Sequence, residues 1–418
     1  MIEDIKLKGQ HEAGIINEDK NLVLRKVQSD NSVPAIIAKK REAITTLLDC
    51  KLSGGANNQS AIINNGHLYA RNIETSGYST ALQSKEATLP KGRITEYVTG
   101  GTVKLFEDAQ EAALNLPIKE VPDYPWPEPN KWAVFDVTKQ GDDTKALQKL
   151  IDSGVEQILI NGANERLHIT GTIHLRGKLK RLHGGWTNML VENKGKEGQP
   201  LFHFHTGNAD FMIFEAFSNG QQRNNFTTFF NESNKTVVIR DVFMGYGINS
   251  YRNTGHGELF LESVVTGGGD YPEQAENKVP GWLFKHQHVW FRNLNPEEWV
   301  PDLQVDEEAV VFGIGGKLGE LYGTHLKVVN GARAEMFGIM CNANMVFPEK
   351  WGLKQHLPSM TGIVIEVEDA DLSLGVFHDG NHNFPDTVFI KETRKGITRQ
   401  LKHSDARSRF SDNGSKEQ

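Results

Sequence analysis

Between Glu258 and Asp302 the chain gathers the residue types that carbohydrate chemistry uses. Carboxylates recur at Glu258, Glu262, Asp270, Glu273, Glu276, Glu297, Glu298 and Asp302, beside Tyr271, Trp282, Trp290 and Trp299. Sugars bind by stacking their apolar faces on aromatic rings while carboxylates and amides reach the hydroxyls. Two carboxyls about 5–5.5 Å apart suit retaining glycoside hydrolysis, and a gap of about 6.5–9.5 Å suits inversion. A lyase acting on a uronic-acid polymer needs instead a Lys or Arg base, with Ca²⁺ or basic side chains neutralising the uronate. Glu262, Glu258 and Asp270 are therefore the candidate catalytic carboxylates. His256, Tyr271, Trp282, Trp299 and Arg292 are the candidate substrate-binding groups, with the long segment Thr266–Lys285 as the place for a cleft.

Each of these residues also has a plainer use. Val238-Ile-Arg-Asp-Val242, Phe260-Leu-Glu-Ser-Val264 and Trp290-Phe-Arg-Asn-Leu294 align, which puts Arg240, Glu262 and Arg292 in one column and Asp241, Ser263 and Asn293 in the next. Neighbours on a strand point to opposite faces, so only one column is expected to face solvent. A carboxylate between two guanidinium groups makes a salt-bridge ladder, and Arg25 and Arg71 occupy the same repeat position earlier in the chain. Trp282 and Trp290 would serve equally as core, and His256 as a turn residue. The pairs His203/His205, His286/His288 and His378/His382 have strand or near-strand spacing, but a metal site needs three or four ligands and the sequence offers no third, so no metal is assigned. Acidic groups at 306–308 and 366–371 are Ca²⁺-compatible and equally read as solvated surface.

The elements that must position these groups are short and repeated. Gly14-Ile-Ile-Asn17 followed by Leu22-Val-Leu-Arg25 matches Ala61-Ile-Ile-Asn64 followed by Leu68-Tyr-Ala-Arg71, with Ala35-Ile-Ile37 and Leu47–Leu52 between them. The period is about 21–26 residues, too little to bury its own apolar face but enough when stacked. The same grammar returns after residue 230. The reading is an all-β fold, a right-handed single-stranded parallel β-helix in two lobes. Residues 1–100 form the coils of a first lobe, 101–130 a helical (106–114) then Pro-rich linker, 131–395 a second lobe, and 396–418 a disordered tail. Gly141–Gly154 reads as a capping helix over about 142–153, which shields the open end of the second solenoid.

Composition narrows the partners. The 418 residues hold 46 Lys+Arg against 53 Asp+Glu, a net charge of −7, with no basic block to favour nucleic acid. No apolar run of membrane-spanning length occurs. Two cysteines, Cys50 and Cys341, make neither a disulfide framework nor a metal motif. Oligomeric state is not legible.

Asp-Asp-Thr-Lys-Ala-Leu-Gln (142–148), then a helix, a strand and Thr172-Ile-His-Leu175, resembles the opening segment of the pectate-lyase-like superfamily, shared with glycoside hydrolase families 55 and 28. Trp290–Glu297, Val311–Gly319 and Asn330–Gly338 resemble a two-lobed bacterial group within it. The resemblance, over roughly 1–395, implies a secreted or periplasmic protein acting on a polysaccharide, most simply a glycoside hydrolase. A polysaccharide lyase and a non-catalytic carbohydrate-binding solenoid remain as alternatives. Gly-His-Gly (255–257) also occurs in polygalacturonase active sites, but neither the Asn-x-Asp nor the Asp-Asp that accompanies it there is found at suitable spacing here. The first lobe lacks its own opening helix and the start has no signal-peptide layout, so a fragment is expected.

Overall fold

In the computed structural model, residues 1–402 and 405 are described, except 57, 139–140, 163–164, 193–196, 220–223, 246, 268–278, 298, 320–322, 343–362, 376–377, 380–387. The chain is all-β: two parallel solenoids and one α-helix among the described residues. The first solenoid pairs an 8-stranded with a 5-stranded sheet, and the second a 14-stranded with a 10-stranded sheet. Among the described residues, no helix is long and apolar enough to cross a membrane.

The repeats set the register. Arg25 lies opposite Leu48 and Leu48 opposite Arg71, so the first lobe advances 23 residues per coil. In the second lobe Arg240, Glu262 and Arg292 stand side by side on consecutive strands, as the sequence alignment requires. Each coil there contributes a short strand to one sheet, such as Asn249–Asn253, and a long strand to the other, such as Leu259–Gly267. The inward columns fill the core. Phe202, Phe229, Tyr251 and Trp282 stack in one column, with Trp282 parallel to Tyr251 at 5.3 Å. Where Phe291 needs room, the next coil supplies Gly313, whose Cβ would lie 2.0 Å from that ring.

The long strands bend at a column of left-handed residues: Ala216, Asp241, Ser263, Asn293 and Gly315 all have φ between 52° and 63°. Asp4, Lys26, Asp49 and Asn72 do the same in the first lobe. This corner corrects the expectation that only one column faces outward. A left-handed residue interrupts strand alternation, so Leu261 and Val264 point into the core while Glu262 and Ser263 both point out.

The helix spans Thr144–Asp152 and buries Leu147 and Ile151 on the end of the second core. Asp143 at its start is fully buried, and its carboxylate accepts hydrogen bonds from Thr138 Oγ1 and the His168 backbone N–H. The 106–114 segment expected to be helical is irregular. Ala113 and Leu116 are drawn into an apolar cluster between the lobes, with Val23, Leu48 and Tyr69 on one side and Val238, Phe260, Trp290 and Phe337 on the other. The linker is thus a packed layer. Tyr124 stacks on Phe211, and Arg181 donates to the Tyr124 carbonyl. The tail expected from 396 begins with a strand, Ile397–Lys402, antiparallel to Val388–Arg394. Together with Arg93–Val98 in the first lobe, this antiparallel strand covers an edge that a parallel solenoid leaves open.

Candidate active site at the junction of the lobes

The outward columns of the two lobes meet across the linker and bring together charges from distant sequence. Arg292 Nη1 lies 3.3 Å from Glu262 Oε1, Arg292 Nη2 lies 2.7 Å from Glu120 of the linker, and its Nε lies 3.0 Å from Glu3 of the first lobe. Arg25 pairs with Glu3 at 3.0 Å, with Asp49 at 3.4 Å and with Glu120. Lys26 adds a 2.6 Å contact to Glu120. At the other end of the junction, Arg71 lies 2.9 Å from Glu335, whose oxygens also accept the Asn115 and Leu116 backbone N–H groups at 3.0 Å.

Two carboxyls in this network are pushed in opposite directions. Burial is the main influence on Glu262 and raises its pKa above the ordinary value. Arg292 and Arg240 oppose that rise, and the carboxylates of Glu3 and Asp241 reinforce it. Burial would also raise Glu120, but hydrogen bonds from Arg25 and Lys26 and the charges of Arg25 and Arg292 outweigh it, holding this carboxyl at about 2. A carboxyl raised in pKa by burial, with further carboxylates beside it, is the kind of environment that acid–base catalysis uses. Asp241 is exposed and stands in the corner column, one coil from Glu262 and displaced by one residue. Neighbouring coils lie about 4.8 Å apart.

The other sequence-derived candidates separate. Glu258 is ion-paired to Lys119 of the linker, whose ammonium sits 5.7 Å over the Trp290 ring. Arg292 is a clamp of the lobe junction, not a free substrate ligand. Trp282 and Trp299 are 0% exposed, so neither offers a ring face to a sugar. Trp282 belongs to the inward aromatic column and donates its Nε1–H to Thr266 Oγ1. Trp299 packs where Gly281 leaves space. Trp290 is stacked on Phe260 and donates to the Pro117 carbonyl across the junction. His256 sits in an exposed turn, its backbone N–H held by Asn234, its ring 5.8 Å from that of His286. Asp270, Tyr271, Glu273, Glu276 and Glu298 lie outside the described residues, as does most of the 266–285 segment.

Sequence reading missed Glu3, Glu120 and Glu335, which carry no local motif. It also set Asp241 aside, because strict alternation hid the corner. The acidic groups thought compatible with Ca²⁺ have protein partners: Asp306 accepts from Asn330 and Gln304, and Glu366 pairs with Lys391 and Lys327. His203 and His205 gain a third imidazole, His174, from the neighbouring coil of the second sheet. No protein-family model matches the chain, and no curated protein matches it.

Proposed function

We propose that the chain is a carbohydrate-active enzyme of the pectate-lyase-like type, a glycoside hydrolase working at the lobe junction. The observation that supports this most is the environment of Glu262. Its carboxyl is on the outward face of a β-solenoid, part-buried, raised in pKa, and flanked by carboxylates on the adjoining coil and on the first lobe. Glu262 is the proton donor to the leaving glycosidic oxygen, and Asp241 is the carboxylate that activates water or attacks the sugar. Arg240 and Arg292 steady the charge that remains on Glu262 once it has given up its proton. Glu258, tied to Lys119, takes no part in the chemistry. A secreted or periplasmic location goes with this reading.

The test is a panel of neutral and uronic-acid polysaccharides, with reducing ends and near-ultraviolet absorbance read together. New reducing ends without absorbance, lost at least a hundredfold in E262Q and in D241N, are expected. Absorbance from unsaturated products would replace hydrolysis by the lyase reading, and glycan affinity without product would leave a binding solenoid.

A further inference from the structure

The second sheet of the large lobe carries a cluster the lobe junction does not use. Strands Ile173–Leu175 and Pro200–Phe204 are neighbours there, with His174 directly opposite His203. Phe202 and Phe204 are buried in the core, so His203 between them faces outward. His205 follows immediately after the strand. Its Nε2 lies 2.9 Å from His174 Nδ1, and its ring centre lies 3.8 Å from that of His203. One nitrogen from each of the three rings lies within 4.8 Å of the other two. Glu232, just past strand Thr227–Asn231 on the next coil, contacts His205 Nδ1 and stands 3.1 Å from His203 Nε2. That His203 nitrogen has ion-pair proximity without an aligned hydrogen bond, and it is buried.

Three imidazoles in mutual contact are a poor arrangement for protons. Neutral rings present lone pairs, the form in which histidine binds metals. Two imidazoles with alternate-strand spacing are common. A third on the next coil, with a carboxylate closing the set, is what a four-ligand site requires. The ring-bearing strand is also braced: the His174 backbone N–H donates to Gln148 Oε1 of the capping helix at 2.7 Å, and Gln148 Nε2 donates back to the His174 carbonyl.

We propose that His174, His203, His205 and Glu232 bind one divalent transition cation of the zinc class, tying three consecutive coils together beside the capping helix. Imidazole with carboxylate suits zinc, cobalt, nickel and copper rather than calcium or magnesium. Another histidine pair, His256 with His286, gains no third ligand among the described residues and serves as the internal control.

The experiment titrates Co²⁺, then Zn²⁺, into the tag-free full chain after chelator treatment, by calorimetry and by the visible Co²⁺ spectrum. One ion per chain is expected with micromolar or tighter Kd, weakened at least tenfold in H174N and in H203N and unchanged in H286N. Each variant is first required to match the parent's circular dichroism in the absence of metal. E232Q, which lies outside the strands, is expected to weaken binding in the same way and stands in for any variant that does not fold. A millimolar Kd, or a Kd that the histidine variants and E232Q all leave within twofold, overturns the site.

Discussion

Glu335 and Glu262 are both outward carboxylates of the same sheet, both face the first lobe, and both meet an arginine. Glu335 is 0% exposed and held on both oxygens: each accepts a linker N–H, and Arg71 lies 2.9 Å from one of them. Glu262 keeps 29% of its side chain exposed and has one 3.3 Å contact, to an arginine that also serves Glu120 and Glu3. A buried ion pair whose carboxylate is also held by two backbone N–H groups is a strut, expensive to break. A desolvated carboxyl with one loose partner is free to exchange a proton. One sheet face therefore holds both a structural and a reactive use of the same residue type, and solvent access and partner number decide between them.

The largest expected effect breaks the strut. Glu335→Ala leaves Arg71 buried without its partner and should cost about 3–5 kcal/mol, read as a fall in the urea unfolding midpoint. Glu262→Gln should cost under about 1 kcal/mol in the same measurement, because Arg292 retains Glu120 and Glu3. Equal losses in the two variants would make Glu262 a second strut and remove the basis for its catalytic role. The corner that turns Glu262 outward is tested by Ala216→Gly. Alanine at φ 58° is strained, so glycine should stabilise by about 0.5–1 kcal/mol despite its larger unfolded-state entropy.

The smallest effect is an acid limb. Glu120 titrates lower in the folded chain, at about 2, than its ordinary 4.5. Its contribution to stability is therefore complete above about pH 4.5 and fades as pH falls toward 2. Glu262, raised by burial, works in the opposite sense: folding favours its protonated form, so it takes stability away as pH rises through its folded pKa. Glu120→Gln should lower the melting temperature at neutral pH and flatten the further loss between pH 4.5 and 2, followed by thermal melts across that range.

Coil period, the helix over the second lobe and the Arg240/Glu262/Arg292 column were all legible in the chain, because a solenoid repeats one local pattern and neighbours in space are one period apart. Trp282 and Trp299 were misplaced because residue type does not say which side of a coil a ring takes. His174 escaped notice because it sits 31 residues before His205, a spacing with meaning only once the register is known. The junction was further out of reach. Arg292 and Glu3 are separated by 289 residues and Asn115 and Glu335 by 220, and no periodicity links them.

The sequence by itself determined the repeated strand, its inward apolar column and the stacking of coils, since these follow from burying one face per period. Only the tertiary structure decided what the outward columns do. One solenoid docks on the other through a packed linker, and that contact excludes water from Glu335 while leaving Glu262 part-open. Identical side chains thus acquire different solvent access and different partners from surroundings their own neighbours in sequence do not supply.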